Sequence, residues 1–330
     1  MNIIILSGGS GERLWPLSTD SRSKQFLKIL PTEDGKRQSM IQYIYDGIKK
    51  VDKEAVIAIA TSEDQVKQIQ ADLNKNVDIS VEPCRKNTFP AIVLAAAYLK
   101  DKKGIGEDET ILVCPVDPYV DDAYFKALKD LNNCSDFTKS NLYLMGINPT
   151  YPSEKFGYII PNTKDTISKV LEFKEKPKKE VAEEYLKKGA LWNGGIFSFK
   201  LGYLLKRAHE LIDFEDYDDL YNKYESLEKI SFDYAFVEKE KEISVMRFNG
   251  KWDDLGTWNS LDQILDQDFI GNGVMGDTCT NTKVFNELDI PIICLGMDEV
   301  IIAASAEGIL ISKKSETENL KKYLEQIKGE

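Results

Sequence analysis

From residue 2 to about residue 148 the chain alternates short apolar, β-like runs with segments of helical spacing, and this alternation restricts the fold more than any other feature. The strand candidates are residues 2–6, 55–60, 77–81, 110–114 and 142–147. Between them Met40, Ile41, Ile44, Tyr45 and Ile48 keep helical spacing, as do Val66, Ile69 and Leu73. A further helix, with Thr88 as its expected N-cap, runs through an apolar stretch to Ala97 and should be deeply buried. The pattern predicts an α/β fold: a Rossmann-like sheet, mixed but mostly parallel, with helices on both faces.

The middle of the chain carries short β-like pieces at 157–160, 167–173 and 196–199 among charged helices. In an α/β fold such insertions cover the carboxyl edge of the sheet, where ligands bind. Beyond residue 270 come short β-like stretches at 291–295, 300–304 and 309–311, then a charged helix over 317–328. The expected division is a large domain over 1–268 and a small β-rich domain over 269–330.

The chain has 330 residues, enough for one large core and a smaller one. No apolar run approaches the roughly 18 residues a spanning helix needs. The N-terminus has no basic region ahead of its apolar run, so that run reads as a core strand, and a cytoplasmic protein is expected. A net charge of -12 argues against broad binding to nucleic acid or to anionic membranes, since both need summed positive potential. The five cysteines are scattered without a Cys-x-x-Cys pair and read as reduced thiols. The single histidine, His209, lies on a helical segment, which disfavours a Ser-His-Asp mechanism.

Candidate chemistry begins where Ile3 to Leu6 runs into Ser7-Gly8-Gly9-Ser10-Gly11. Glycines let a backbone turn sharply and bring its N–H groups close to an anion. Arg13 and Lys24 would add fixed positive charge. Alternatively the glycines make only a tight strand-to-helix turn. The loop lacks the Gly-Lys-Ser/Thr ending of a P-loop, and no strand ending in an acid follows at the distance a dinucleotide fingerprint requires.

Asp117 follows a strand at its carboxyl end, where an acid suits a hard cation such as Mg²⁺, or else starts a turn between two prolines. Asp253 and Asp254 precede a glycine turn and a helix, as cation ligands or as an N-cap. Glu175 and Lys176 close a β-like stretch, in a site or as a solvated strand end. Asn193, ahead of Gly194 and Gly195, offers an amide that donates and accepts, as sugar hydroxyls demand, or marks a glycine bulge.

Leu14-Trp15-Pro16-Leu17, Lys24-Gln25-Phe26-Leu27, Phe173-Lys174-Glu175-Lys176-Pro177, Trp192-Asn193-Gly194-Gly195-Ile196-Phe197 and Trp252-Asp253-Asp254-Leu255-Gly256-Thr257-Trp258 resemble motifs of the sugar-phosphate nucleotidylyltransferases, in that family's order. The first two look most like its mannose-1-phosphate guanylyltransferase members. The resemblance implies a nucleotide-diphospho-sugar transferase fold whose small C-terminal domain is short and left-handed β-helix-like. It implies transfer from an NTP, GTP first, to mannose 1-phosphate, with Mg²⁺ as cofactor. Glucose 1-phosphate with another NTP is the alternative, and a non-catalytic nucleotide-sugar sensor is the reading from a different class.

Carried over residue by residue, the resemblance assigns catalysis to Arg13, Lys24 and Lys176. It assigns the nucleotide to Leu6, Gly8, Gly9, Gly11, Glu82, Asn87, Thr88 and Asp117, and the sugar to Gly157, Glu175 and Asn193. The metal falls to Asp117 and Asp254, with Asp254 preferred over Asp253. A homodimer through the apolar C-terminal domain is also expected. The chain departs from the family pattern with Lys86 for Arg, Phe89 for Ala, Pro118 for His and Phe232 for Ile, and the first three bear on the choice of base. Asp233, in Ser231-Phe232-Asp233-Tyr234-Ala235, reads as structural.

Overall fold

The computed structural model describes residues 1–9, 12–19, 22–32, 34–73, 76–265 and 267–328. Its contacts divide the chain into two compact units that interleave in sequence. One holds Met1–Gly8, Ile44–Val116 and Val120–Trp252; the other holds Gly9–Tyr43, Asp117–Tyr119 and the chain from Asp253 onward.

The first unit is built on nine strands: β1 Asn2–Leu6, β2 Val56–Ser62, β3 Asp78–Glu82, β4 Thr110–Pro115, β5 Leu142–Ile147, β6 Gly157–Pro161, β7 Ile167–Lys174, β8 Leu191–Lys200 and β9 Ile243–Phe248. They form one sheet in the order β3-β2-β1-β4-β8-β5-β9-β7-β6, with β8 also pairing β6. Ile3, Ile4 and Ile5 are fully buried because β1 lies between parallel neighbours, β2 and β4, in a covered sheet. Parallel pairing runs from β3 to β4 and recurs at β5 with β9; β6, β7 and β8 pair antiparallel. The sheet is therefore mixed, and the expected mostly parallel character holds only for the half made by the first four strands. Too few residues join β6 to β7 for a crossover, so they form a hairpin.

The helix Thr88–Lys103 is apolar on nearly every side because it lies between the sheet and the helices Leu201–His209, Tyr217–Lys223 and Phe232–Ala235. Its N-cap is Asn87, one residue earlier than expected, whose side chain accepts from Thr88 N–H. Gly104 ends it at φ 70°, the left-handed stop that glycine allows.

In the second unit a core of Leu14, Leu17, Leu27, Trp258, Leu261 and Phe285 joins the early loop to the later chain. Beside the short antiparallel pair Leu30–Pro31 and Arg37–Gln38, its strands are β10 Phe269–Gly271, β11 Gly273–Met275, β12 Lys283–Asn286, β13 Ile292–Cys294, β14 Val300–Ser305 and β15 Gly308–Lys313. β10, β12 and β14 pair in parallel, as do β11 and β13, while β15 returns antiparallel on β14. The helix Leu320–Lys328 closes the described chain. No described helix is long and apolar enough to cross a membrane.

Candidate functional site

In the second unit the turn Lys24–Phe26 and the segments around Asp117 and Asp254 bring one lysine and two carboxylates together. Lys24 Nζ lies 2.7 Å from Asp117 Oδ2 and 3.8 Å from Asp254 Oδ1, and the lysine side chain is only 14% exposed. Burial favours a neutral amine, but the Asp117 and Asp254 charges more than offset it and hold Lys24 above the ordinary lysine value. Burial likewise pushes the Asp117 carboxyl up, and Lys24 overrides it, leaving Asp117 below the ordinary aspartate value. Both groups are therefore charged at neutral pH. Arg13, exposed on the turn Glu12–Leu14, adds positive potential that also favours ionised Asp117.

Local features hold these groups. Leu255 N–H donates to Asp117 O at 3.3 Å. The helix Trp258–Ile264 is capped by Thr257 in a reciprocal box with Ser260, so the cap role open to Asp253 and Asp254 is already filled. A Cβ on Gly256 would lie 2.9 Å from Asp254 Oδ2, so glycine there leaves the carboxylate its place. Two hard anionic oxygens converging on a cation suit a divalent ion that keeps most of its waters. No cluster of three or more His, Cys, Asp or Glu able to hold a metal occurs among the described residues.

The first unit holds the nucleotide candidates Leu6, Gly8, Glu82, Asn87 and Thr88. Leu6 ends β1 opposite Ala60 and Pro115. Neither Gly8 nor Gly9 has a positive φ, so the sharp turn expected of these glycines does not arise from left-handed backbone. Gly8 instead gives space, since its Cβ would come 3.3 Å from Glu82 Oε1, whereas a Cβ on Gly9 would meet nothing within 4 Å. Gly11 lies outside the described residues. Glu82 is 6% exposed, and its Oε2 accepts from Tyr224 OH at 2.6 Å. Burial raises its pKa against the opposing pull of that bond. Asn87 sits at φ 72° and ψ -174°, a region nearly restricted to glycine that costs a side-chain-bearing residue about 1–3 kcal/mol. Thr88 Oγ1 accepts from Phe232 N–H at 2.8 Å.

The departures Lys86, Phe89 and Phe232 meet one seam. Lys86 Nζ donates to Glu225 O at 2.6 Å, and the Phe89 and Phe232 rings lie 6.4 Å apart in the core. Lys86 and Phe89 thus serve the packing of segment 224–235, whereas the sequence pattern ties them to the choice of base.

The sugar candidates gather where β8 changes partners. Asn193 pairs Gly157 of β6, and the register breaks before Phe197, with Gly195 at φ 74°. Asn193 Nδ2 donates to Asp233 Oδ1 at 2.7 Å, and Asn193 Oδ1 accepts from Gly195 N–H at 3.1 Å. These two bonds orient the amide and leave each of its ends one further hydrogen bond. Glu175 is 5% exposed, so it is not a solvated strand end, whereas the Lys176 side chain beside it is 52% exposed. Its Oε1 pairs with Lys176 Nζ at 2.8 Å, while its buried Oε2 has no partner. A Cβ at residue 157 would lie 2.5 Å from that oxygen, so Gly157 is the space the carboxylate occupies. A buried acceptor without a donor is costly alone and suits a ligand hydroxyl. Lys176 holds φ 42°, a strained setting for a lysine. Burial would lower its pKa, but Glu175 and Asp233 keep it raised. Burial, then the Glu175 charge, pushes Asp233 up to about 6.

Sequence reasoning missed Tyr224, which is 142 residues from Glu82 and has no local signal. It read Asp233 as structural, and the structure gives that residue the task of holding Asn193. His209 takes no part: its ring stacks on Phe214 at 4.1 Å.

A family model described as nucleotidyl transferase matches residues 2–268. The chain is similar to the xanthan biosynthesis protein XanB of Xanthomonas campestris pv. campestris, with 31% identity over 353 residues, covering 99% of this chain and 73% of that protein. It is 30% identical over 361 residues to a mannose-1-phosphate guanylyltransferase of Escherichia coli, covering 98% of this chain and 75% of that one. Among solved structures, one titled mannose-1-phosphate geranyltransferase, from Thermus thermophilus, superposes with a TM-score of 0.80 at 25% identity, covering 99% of this chain and 98% of that one.

Proposed function

The chain belongs to the nucleotidyl transferase family, and on that premise we propose that it transfers the nucleotidyl group of an NTP, GTP by preference, to mannose 1-phosphate, yielding GDP-mannose and pyrophosphate. The observation that carries this reading is the Lys24 ammonium held between Asp117 and Asp254. Phosphoryl chemistry asks little covalent work of a protein and much positioning and charge neutralisation, which a buried cation flanked by carboxylates is suited to provide. The relatives named for mannose-1-phosphate guanylyl transfer support the choice of base and sugar.

In the reaction an oxygen of the hexose 1-phosphate attacks the α-phosphorus in line. A P–O bond forms there, the α–β bridging bond breaks, and its electron pair leaves on pyrophosphate. A sugar phosphate, with a second pKa of about 6, is already anionic at neutral pH, so no general base is required. Lys176 holds the attacking phosphate, Glu175 Oε2 accepts from a sugar hydroxyl, and Asn193 supplies its remaining N–H. Lys24 and Arg13 neutralise the departing pyrophosphate, and the loop at Gly8 and Gly9 offers backbone N–H groups to the phosphates. Glu82, Asn87 and Thr88 attend the base. Asp117 and Asp254 would hold Mg²⁺, an ion that when bound neutralises phosphate charge as a Lewis acid.

A homodimer joins this reading, supported by the exposed apolar side chains of Ile293, Leu295, Ile309 and Ile311, and light scattering tests it. Parallel pairing among β10 to β14 supports a short left-handed β-helix-like C-terminal domain. A cytoplasmic setting agrees with the free thiols of Cys84, Cys114, Cys279 and Cys294. The deciding experiment pairs each of four NTPs with mannose and glucose 1-phosphates and follows pyrophosphate release. GTP with mannose 1-phosphate should turn over fastest. A preference for glucose 1-phosphate would replace the sugar, and no release from any pair would end the reading.

A further inference from the structure

We propose that segment 224–233 is a strap that fixes the nucleotide-facing Glu82 and the sugar-facing Asn193 as one unit, with Tyr224 and Asp233 as its positioning residues. The proposal rests on the reading of Glu82 and Asn193 as substrate contacts.

The strap is stitched along the segment 82–89. At its start the fully buried Tyr224 donates to Glu82 Oε2 at 2.6 Å. Burial and the Glu82 charge hold the Tyr224 phenol far above the ordinary tyrosine range, so it remains a donor. That bond occupies one carboxylate oxygen and leaves Oε1 toward Gly8. Midway, Ile230 N–H donates to Lys86 O and Phe89 N–H donates to Ile230 O, both at 3.2 Å. Phe232 N–H then donates to Thr88 Oγ1 at 2.8 Å, which sets the backbone one residue before Asp233. Ser231 caps the short helix that carries Asp233. At the far end Asp233 Oδ1 accepts from Asn193 Nδ2 at 2.7 Å.

The bond at Tyr224 is buried and those at Phe232 and Asp233 are partly buried, and side-chain networks of this kind are coupled, so that a change at one end is felt at the other. Lys86, Phe89 and Phe232 all lie on the seam. A tilted aromatic pair and a lysine-to-carbonyl bond close it.

The test compares Tyr224→Phe, Asp233→Ala, Asp233→Asn and the double variant Tyr224→Phe/Asp233→Ala in pyrophosphate release, each substrate varied in turn. Glu82→Gln and Asn193→Ala serve as references, and thermal melts accompany all six. Loss of a hydrogen bond to a charged group should raise the KM for NTP about tenfold in Tyr224→Phe. Through the strap, the KM for the hexose 1-phosphate should rise several-fold in the same variant, with kcat less affected. Asp233→Ala should show the converse, and Asp233→Asn, which keeps an acceptor for Asn193, should recover most of the loss. The double variant should cost less than the product of the single effects. If Glu82→Gln and Asn193→Ala leave both KM values unchanged, the contact assignment fails and takes the proposal with it. If those references shift KM while Tyr224→Phe and Asp233→Ala each affect one substrate only, multiply independently, or change only the melting temperature, the contacts stand and the strap is refuted.

Discussion

Gly157→Ala separates the sugar site from the fold around it. The new methyl would stand 2.5 Å from Glu175 Oε2, 3.2 Å from Phe173 Cζ and 3.3 Å from Asn193 Cβ. The last two contacts yield with small shifts. An ordinary C···O contact is about 3.3 Å, so the carboxylate must retreat by roughly 0.8 Å. Gly157 has no positive φ, so alanine adopts its backbone without strain, and the displaced atom is the end of a side chain able to move. The stability cost should therefore be about 1 kcal/mol, the low end for overpacking. A hydrogen bond to a charged acceptor contributes about 1.5–3 kcal/mol, so its loss should lower kcat/KM for the hexose 1-phosphate about tenfold to a hundredfold. The KM for NTP should stay unchanged. Initial rates of pyrophosphate release at saturating NTP, with a thermal melt alongside, read both quantities. A variant within twofold of the parent in kcat/KM despite the expected fall in melting temperature would show that Glu175 Oε2 meets no substrate.

Gly256→Ala applies the same logic to Asp254, whose Oδ2 would lie 2.9 Å from the added Cβ; the divalent-ion concentration for half-maximal rate should rise severalfold, and an unchanged titration would remove Asp254 from the ligand set. Lys24→Ala should lose about 10²–10³ in turnover, the usual cost of one electrostatic contact in a water-poor site. It also leaves the half-buried Asp117 without its cation, which raises that carboxyl's folded pKa, so the melting-temperature penalty should be larger at pH 7 than at pH 4. An equal penalty at both pH values would contradict the pairing. Asp233 moves from 3.8 to about 6 on folding, so the folded state binds its proton more tightly and stability falls as pH rises through that window. Asp233→Asn should flatten denaturant-derived stability between those limits, and pH curves parallel to the parent's would refute the shift.

Much of the architecture was legible because local periodicity carries it. Residues 2–6 and 142–147 are strands as read, for a chain buried on both faces must be apolar throughout. The helix after Asn87 was visible from its unbroken alanine and aliphatic run. Strand β9 was not, since its six residues follow a charged stretch and carry no turn signal. The antiparallel half of the sheet was also hidden, because side-chain pattern fixes which face a strand buries but says little about which neighbour it joins.

The site divides in the same way. Sequence alone determined which residue types were available and where they stood along the chain: Lys24, Asp117, Asp254, Glu175, Lys176 and Asn193, each inside a short motif. Only the tertiary structure decided that Lys24 bridges two carboxylates 93 residues or more away along the chain, that Glu175 is buried with one oxygen unpaired, and that Tyr224 and Asp233 hold the groups on either side. Charge state, orientation and unmet hydrogen bonds are set by burial and by partners distant in sequence, and neither exists until the chain has folded.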